Sequence, residues 1–314
     1  MNTTSSRSCE SSQKYIALRG GDKISRIGLG TSRLTPDKEG SDTVLKALDS
    51  GINLINCADF YNSGDGELAV REALKQRPRE DFFISVKFGA LMTLDHPGMT
   101  GIDVAPEHVE NYLAYTLHRL GTDYVDLYQP GRINPHIPVE DTLGAIERLK
   151  EKGYVKHIGL TQIDVETLKK ASEATAIDLV ELNYNVVNRR YEDTTMAEAR
   201  KLGIPVCAFG VMQGLKKDPA IAEGLQKIAD AKGCTLAQLS IAWVLAQGKD
   251  MTAIVGSHHP AQAESSAEAI NVSLSAADLA EIEKIVPKSK ATTIYMPDIP
   301  MDEKGIFDLS IFNK

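Results

Sequence analysis

Short apolar runs alternate with segments of helical periodicity along most of the chain. The helical segments repeat apolar residues every three or four positions, as at Leu113, Leu117 and Leu120, which is typical of a helix that buries one face. The short apolar runs predict buried strands. These runs are Ile27 to Leu29, Asn53 to Cys57, Phe82 to Lys87, Val125 to Gln129, Val155 to Leu160, Leu179 to Asn183, Pro205 to Phe209 and Thr252 to Val255. Such alternation predicts βαβ units around a parallel sheet.

The number of these units favours a closed barrel. Eight strands with intervening helices match the α/β fold class of the (β/α)8 TIM barrel in count and in length. An open doubly wound sheet is the alternative. It is disfavoured because Gly28-Leu29-Gly30 is followed by Thr31, Ser32 and Arg33, so the third glycine of the dinucleotide-binding fingerprint is missing.

The chain shows neither a linker nor a change of pattern that would divide it. Residues 14–287 therefore predict one TIM-barrel domain, preceded by a flexible segment over residues 1–13. Within the domain, Tyr15 to Leu18 and the run from Ile24 onward, joined by Gly20 and Gly21, predict a β-hairpin that closes the N-terminal mouth of the barrel.

Residues 288–314 carry more apolar side chains than a solvated tail needs. They include Tyr295, Met296, Ile299, Ile306, Phe307 and Phe312. We therefore expect a C-terminal tail that docks over the active face of the barrel. The sequence leaves open whether the tail walls a substrate pocket or is only packed there.

Composition and charge exclude several classes of protein. The 314 residues are 42% hydrophobic and 25% charged, which is the balance of a globular protein with a large core. The net charge of −8 argues against nucleic acid or anionic membranes as partners. No apolar run reaches the ~18 residues of a membrane span, so a cytoplasmic location is expected. The oligomeric state is left open.

The cysteines suggest neither a metal site nor disulfide bonds. Cys9, Cys57, Cys207 and Cys234 are far apart and form no CxxC or Cys/His ligand spacing. The adjacent His258 and His259 would point apart at a strand end, so a metal site is not expected there either.

Candidate chemistry lies at the ends of two neighbouring predicted strands, where TIM barrels hold their catalytic groups. Tyr61 follows the second strand and Lys87 ends the third. A lysine at this position is costly to bury without a partner, and its simplest interpretation is a salt bridge. The catalytic interpretation is that its ammonium lowers the pKa of the Tyr61 hydroxyl from its usual ~10, so that the tyrosine becomes a proton donor.

From Ile27 to about Val286 the chain resembles the aldo/keto reductases. The matching motifs are, in order, IGLGTSRL, INLINCADFYNSGDGE, FFISVKFG, LHRLGTDYVDLYQPGR, VKHIGLTQ, ELNYNVVNRR, GIPVCAFG and IVGSHHPAQAESS. Members of this family are NADPH-dependent TIM-barrel enzymes. The resemblance implies a small carbonyl compound as substrate, Tyr61 as proton donor and Lys87 as its assistant.

Two members of the family's catalytic tetrad are replaced in this chain. Asn56 stands for the aspartate and Gly131 for the histidine. Asn56 can accept a hydrogen bond from Lys87 but removes a countercharge, so we expect the ammonium to act more fully on Tyr61. Gly131 removes a donor to the substrate carbonyl, a loss of ~2.7–4 kcal/mol, and is expected to open space beside the nicotinamide.

These two replacements are similar to those in the pyridoxal reductase branch of the family, which makes pyridoxal the leading substrate. His96 and His136, expected in loops on the active face, are candidates to replace the missing histidine. The alternative function is a barrel that has lost redox activity and acts as a lyase, an isomerase or a binding or regulatory protein.

The resemblance also implies a binding site for NADPH, with NADH as the alternative. Thr161, Gln162 and Glu181 would bind the carboxamide, Phe209 would stack on the nicotinamide, and the helix near Pro260 would attract the adenosine phosphate. The implied cofactor residues are Gly30, Thr31, Thr161, Gln162, Glu181, Phe209, Gly210, Gly256, Ser257, His259 and Gln262.

The adenosine end of this implied site departs from the family pattern. Ser265 and Ser266 replace the Glu-Asn pair that binds the adenine, and the basic partner of the 2′-phosphate is reduced to His258 or His259. We therefore expect a weaker grip on the cofactor or a less distinct preference for NADPH.

Overall fold

The computed structural model describes residues 13–291 and 299–310, without the side chains of Pro97, Lys216 and Lys290. Its strands are β1 (Tyr15–Ala17), β2 (Lys23–Ser25), β3 (Ile27–Gly30), β4 (Leu54–Ala58), β5 (Phe83–Phe88), β6 (Ala90–Thr93), β7 (His96–Ile102), β8 (Val125–Pro130), β9 (Val155–Thr161), β10 (Leu179–Asn183), β11 (Val206–Phe209) and β12 (Met251–Gly256). Its α-helices are α1 (Lys38–Asp49), α2 (Asp65–Leu74), α3 (Pro106–Leu120), α4 (Val139–Glu151), α5 (Val165–Ala174), α6 (Thr195–Lys201), α7 (Pro219–Ala231), α8 (Leu236–Ala246), α9 (Pro260–Glu268) and α10 (Ala276–Ile285).

Eight strands close into a parallel barrel in the order β3, β4, β5, β8, β9, β10, β11 and β12, with β12 paired again to β3. Helices lie between successive barrel strands. The predicted (β/α)8 TIM barrel is therefore confirmed, and the open doubly wound alternative is excluded because the sheet has no free edge.

The barrel strands appear in the sequence as continuous apolar runs because both of their faces are covered. Every residue of β4, β5, β8 and β10 is buried. Parallel strands between a packed barrel interior and a ring of helices see no solvent on either side. Polar residues interrupt these runs and must therefore find partners inside the protein, among them Asn56, Lys87, Gln129 and Glu181.

Local signals in the sequence fix where several helices begin and end. Asp37 accepts a hydrogen bond from the backbone N–H of Gly40 at the start of α1, and Thr235 forms a reciprocal capping box with Gln238 at the start of α8. At the end of α3, Gly121 adopts a left-handed conformation with φ of 68°, which a residue with a side chain rarely adopts.

The N-terminal hairpin closes the mouth of the barrel, as predicted. β1 pairs antiparallel with β2, and Ile16, Leu18 and Ile24 are buried. These three side chains pack in one cluster with Leu54 and Phe83, the first residues of β4 and β5. The hairpin thus seals the end of the barrel opposite the active face.

A second hairpin, which the sequence analysis did not predict, follows β5 and binds the C-terminal tail. β6 and β7 pair antiparallel, and the tail lies beside β7. The backbone N–H of Ile102 donates to the carbonyl of Gly305 at 2.8 Å, and that of Phe307 donates to the carbonyl of Thr100 at 2.9 Å. Residues 299–310 of the predicted tail are therefore docked.

Parts of the sequence predictions fall outside the described residues. The flexible segment expected over residues 1–13 concerns mainly residues 1–12, and Cys9, Tyr295, Met296 and Phe312 are not described either. The division into domains stays a prediction. None of the described helices is both long enough and apolar enough to cross a lipid bilayer.

Candidate active site

Four polar side chains meet inside the barrel and form what we call the inner network, consisting of Asn56, Lys87, Gln129 and Glu181. Lys87 Nζ lies 3.0 Å from Glu181 Oε1 and donates to Asn56 Oδ1 at 2.5 Å. Asn56 Nδ2 and Gln129 Nε2 both donate to Glu181 Oε2, at 2.8 and 2.7 Å. All four residues are at most 4% exposed. The network therefore pairs a buried cation with a buried carboxylate and adds hydrogen bonds to both, the arrangement that buried charges require.

The expectation that Asn56 removes the countercharge of Lys87, so that the ammonium acts more fully on Tyr61, is wrong, whereas the simpler interpretation of Lys87 as a salt-bridge partner agrees with the structure. Glu181 supplies that charge from another strand. Burial by itself would lower the pKa of Lys87, but the Glu181 carboxylate and the Tyr61 hydroxyl more than offset it, so the pKa lies above its usual value. Lys87 is therefore a cation throughout the physiological pH range.

Tyr61 lies next to this cation, on the turn that follows β4. The Nζ atom of Lys87 is 5.2 Å from the centroid of the tyrosine ring, and the two side chains are hydrogen-bonded. Asn62 and Ser63, which follow in the same turn, have φ angles of 47° and 56°. Such conformations are strained for residues other than glycine and concentrate at functional sites. The structure thus brings Tyr61, Lys87 and Asn56 together.

Space beside Gly131 is occupied by an aromatic ring. A Cβ atom at Gly131 would lie 3.2 Å from the Phe60 ring and 3.2 Å from the carbonyl oxygen of Phe88. The Phe60 ring in turn packs edge-on against Tyr61, with centroids 5.2 Å apart. The expectation that Gly131 simply opens space is therefore corrected, because Phe60 fills one side of it.

The two histidines considered as substitutes are held by backbone groups. His96 lies in β7 rather than in a loop, and its Nδ1 is 3.1 Å from the N–H of Gly98. His136 Nε2 is 3.2 Å from the carbonyl oxygen of Met301 in the tail. Neither contact places an imidazole beside Tyr61.

The residues implied for the nicotinamide end lie on β9, β10 and β11 or, for Gln162, directly after β9. Thr161 is 3% exposed, and its hydroxyl has no partner among the described residues. Gln162 adopts a left-handed conformation with φ of 55°, and its side-chain oxygen accepts from the N–H of Asn183 at 2.6 Å. Both carboxylate oxygens of Glu181 are already bound within the inner network. Phe209 is half-buried at the end of β11.

The surroundings of three further implied residues restrict what can stand at their positions. The Thr31 hydroxyl donates to the backbone carbonyl of Asn56 at 3.2 Å, so it supports the strand before Tyr61. A Cβ atom at Gly210 would lie 2.4 Å from the side chain of Asn183, and one at Gly30 would lie 3.0 Å from Ile254. Only glycine fits at Gly210 without a shift of its neighbours.

The residues implied for the adenosine phosphate lie between β12 and α9. Ser257 is 1% exposed, and its hydroxyl has no partner among the described residues. Gln262 accepts a hydrogen bond from the N–H of His258 at 2.8 Å, whereas His259 turns toward Glu39 at 2.6 Å. A Cβ atom at Gly256 would meet no atom closer than 3.9 Å, so the strand end is open.

Arg33 is a basic residue at this end that the sequence analysis missed. Its Nη1 lies 2.8 Å from Nε2 of His258, and its side chain is exposed. Arg33 follows β3, which pairs with β12 at Gly30 and Gly256 once the barrel closes. Because the first and last strands of a closed barrel pair with each other, the residues after β3 lie beside those after β12, and Arg33 could have been predicted from this pairing.

A cavity of about 350 Å³ lies between the barrel and the tail. Gln162 and Arg132 line it from the strand ends, and Ile299, Met301 and Phe307 line it from the tail. The tail is therefore a wall of the cavity that adjoins the candidate site. No group of three or more His, Cys, Asp or Glu side chains among residues 13–291 and 299–310 is arranged to hold a metal ion.

Asp59, directly after β4, is a partly exposed residue near the candidate site whose carboxyl group is largely buried. One of its oxygens accepts from the N–H of Gly89 at 3.2 Å, and the other has no partner among the described residues. Burial raises its pKa to about 7, and the nearby Glu67 acts in the same direction, against the Gly89 N–H and Arg119.

This raised pKa predicts a pH-dependent stability. A carboxyl group whose pKa is higher in the folded than in the unfolded state stabilises the folded state. The contribution of Asp59 is complete below pH ~4 and is lost as the pH rises through about 7. The free energy of unfolding should therefore fall by on the order of 3 kcal/mol between pH 4 and 8, and Asp59→Asn should remove most of that slope. Urea unfolding at several pH values measures this, with the exposed Asp123→Asn as control. An unchanged slope in Asp59→Asn would contradict the prediction.

Comparisons with known proteins agree on one family. A family model described as "Aldo/keto reductase family" matches residues 26–287. The chain is 31% identical over 302 residues to "Probable aldo-keto reductase 1" from Glycine max, and the match covers 85% of this chain and 87% of that protein.

Solved structures show the same architecture. A thermostable aldo-keto reductase, Tm1743, in complex with the inhibitor epalrestat, has a TM-score of 0.76 and 28% identity, over 87% of this chain and 100% of that chain. The glycerol dehydrogenase AKR11B4 from Gluconobacter oxydans has a TM-score of 0.80 and 22% identity, over 92% and 99%. An aldo/keto reductase from Klebsiella pneumoniae in complex with NADP and acetate has a TM-score of 0.75 and 24% identity, over 88% and 96%.

Proposed function

The chain belongs to the aldo/keto reductase family, and from this membership we propose that it is an NADPH-dependent enzyme that reduces an aldehyde or ketone to an alcohol. The observation that carries the proposal is the hydrogen-bonded pair of Lys87 and Tyr61 at the strand ends of a closed barrel. Such a pair places an acidic hydroxyl where a TIM barrel carries out its chemistry.

The chain's own residues supply the proton and its control. NADPH, when bound, supplies a hydride. The Tyr61 hydroxyl donates its proton to the carbonyl oxygen of the substrate, and the ammonium of Lys87 stabilises the phenolate that remains. Glu181 and Asn56 keep that ammonium in place. The hydrophobic barrel interior strengthens these interactions because water does not screen them.

Two buried hydroxyls fit a dinucleotide that spans the candidate site. Thr161 is the last residue of β9 and Ser257 directly follows β12, and the hydroxyl of each lacks a hydrogen-bond partner among the described residues. Buried polar atoms without partners are costly, and a ligand that pairs with them removes that cost. We infer that Thr161 and Gln162 bind the nicotinamide carboxamide, that Phe209 stacks on the ring, and that Ser257 binds a phosphate oxygen.

Arg33 is proposed as the basic residue of the phosphate end, together with the N-terminus of α9. Arg33→Ala should weaken NADPH binding by about 10- to 100-fold and NADH binding by less than threefold, because charge-assisted hydrogen bonds contribute ~1.5–3 kcal/mol. Calorimetric titration with both cofactors measures this. Arg19→Ala, the same change near the opposite mouth of the barrel, is the control. An equal loss for both cofactors would show that Arg33 does not read the 2′-phosphate.

The first substrate to test is pyridoxal. The replacements at Asn56 and Gly131 are similar to those of the pyridoxal reductase branch, and the Phe60 ring beside Gly131 and Tyr61 would give a pyridine ring an aromatic surface to pack against. Aromatic rings prefer such surfaces for stacking. Loss of the nicotinamide absorbance should be faster with pyridoxal than with aliphatic aldehydes of similar size, and Phe60→Leu should reduce this difference. Equal rates across the panel would remove pyridoxal from consideration.

Cofactor binding distinguishes the reductase from the non-redox alternative. Ser265, in place of an adenine-binding residue, accepts hydrogen bonds from the Gln238 side chain through its carbonyl and hydroxyl oxygens, at 2.9 and 3.2 Å. Because Ser265 is bound to Gln238, we expect weaker binding of the adenine. No saturable binding of NADPH at tens of micromolar would favour a lyase, an isomerase or a binding protein. The cytoplasmic location stays a prediction.

A further inference from the structure

The carboxylate that neutralises Lys87 comes from the far side of the barrel. Asn56 lies on β4 and Glu181 on β10, and these strands are four positions apart in either direction around the barrel. The glutamate side chain crosses the interior to reach both Lys87 and Asn56. In the tetrad that the sequence resembles, the countercharge would stand on β4 itself.

We propose that Glu181 is the positioning residue that holds Lys87 charged and directed at Tyr61, in place of the tetrad aspartate. This inference rests on the proposed function, since it assigns Glu181 to the assistant of the proton donor. It also withdraws Glu181 from the set of carboxamide-binding residues, because both of its oxygens already accept within the inner network.

Charge balance makes Asn56 and Glu181 depend on each other. Asn56 accepts from Lys87 through Oδ1 and donates to Glu181 through Nδ2. An aspartate at position 56 would place an oxygen 2.8 Å from Glu181 Oε2 without a proton between them. Two carboxylates at this separation cannot both ionise without strong repulsion. Restoring the family's aspartate alone should therefore harm this protein.

Removing the glutamate alone should harm it in the opposite way. Glu181→Gln leaves Lys87 as a buried cation without a countercharge, and an unpaired buried charge is strongly destabilising. The unneutralised ammonium would also lower the pKa of the Tyr61 hydroxyl. The double variant Asn56→Asp/Glu181→Gln again has one carboxylate and one amide, but the carboxylate is now on β4 and the amide on β10.

The test is a cycle of three variants in the full-length protein, namely Asn56→Asp, Glu181→Gln and the double variant. Each single variant should lower the unfolding midpoint by about 5–10 °C, and the double variant should return to within about 2 °C of the unchanged protein. Midpoints that are additive in the double variant would overturn the inference. So would a neutral Asn56→Asp. If Glu181→Gln does not fold, a folded double variant supports the inference and an unfolded one contradicts it.

The pH profile of kcat/KM distinguishes positioning from mere support of the fold. The alkaline limb is the part of the profile where kcat/KM declines at high pH. The pH of this decline should be lower by about one unit in Glu181→Gln, higher in Asn56→Asp, and unchanged in the double variant. Glu67→Gln is the matched control, since Glu67 is equally buried and is paired with Arg119. It should lower the midpoint without moving the limb, and Asn56→Asp should not rescue it. The limb staying fixed in Glu181→Gln would refute the positioning role.

Failure of the proposed function would look different. If the protein without substitutions failed to oxidise NADPH with every carbonyl compound tested, the reductase proposal would be refuted. The unfolding midpoints of the variants would still report on the pairing of Asn56, Lys87 and Glu181.

Discussion

Tyr61→Phe is expected to reduce carbonyl turnover by about 10²–10⁴-fold while it changes NADPH affinity by less than twofold. The substitution removes only the hydroxyl, the atom that is hydrogen-bonded to Lys87 and that would protonate the substrate oxygen. The ring that packs against Phe60 remains. Steady-state loss of nicotinamide absorbance and a calorimetric titration of NADPH measure the two quantities separately.

Tyr15→Phe is the matched control for this substitution. Tyr15 lies in the hairpin that closes the opposite mouth, and its hydroxyl donates to the carbonyl of Gly51 at 3.0 Å. Its loss should leave turnover unchanged. If Tyr61→Phe kept more than a tenth of the activity, the proton would have to come from another group, and the assignment of Tyr61 would be wrong.

Lys87→Met is the second substitution with a large expected effect, because it should impair both chemistry and folding. Glu181 would become a buried carboxylate without a cation, and breaking a buried pair from one side costs about 3–5 kcal/mol. Turnover should fall by about 10²-fold or more, since the phenolate of Tyr61 would lose its stabilising charge. Urea unfolding and the absorbance assay measure these two losses.

A double variant separates the two losses. Lys87→Met/Glu181→Gln removes both buried charges and should recover most of the stability, because a neutral pair has no unpaired charge to bury. Its activity should stay as low as that of Lys87→Met. Recovery of turnover together with stability would show that Lys87 supports the fold without assisting Tyr61.

The architecture was predictable because parallel barrel strands are buried on both faces and so appear as apolar runs. The second hairpin was missed because its first strand, Ala90–Thr93, has no buried residue, and Met92 and the neighbouring Leu94 are exposed. Apolar residues that are not buried carry no reliable strand pattern. The docking of the tail was predicted from its apolar side chains, of which Ile299 and Phe307 are buried.

The candidate site was predictable only in part. Tyr61 and Lys87 follow from their places at two neighbouring strand ends. The roles proposed for Glu181 and Arg33 depend on which strands face or adjoin each other after the barrel closes. The residues next to each of them in the sequence do not show these strand positions. The position of Phe60 beside Gly131 is likewise set by three-dimensional packing.

The paired requirement at Asn56 and Glu181 limits the routes by which such a barrel can arise by mutation. A change at either position first produces an intermediate with two carboxylates or with none, and both are penalised in a buried network. The two codons are therefore expected to change together among related genes. In descendants of this chain, Asn at position 56 should be inherited with Glu at position 181, and a reversion at one should be followed by a reversion at the other.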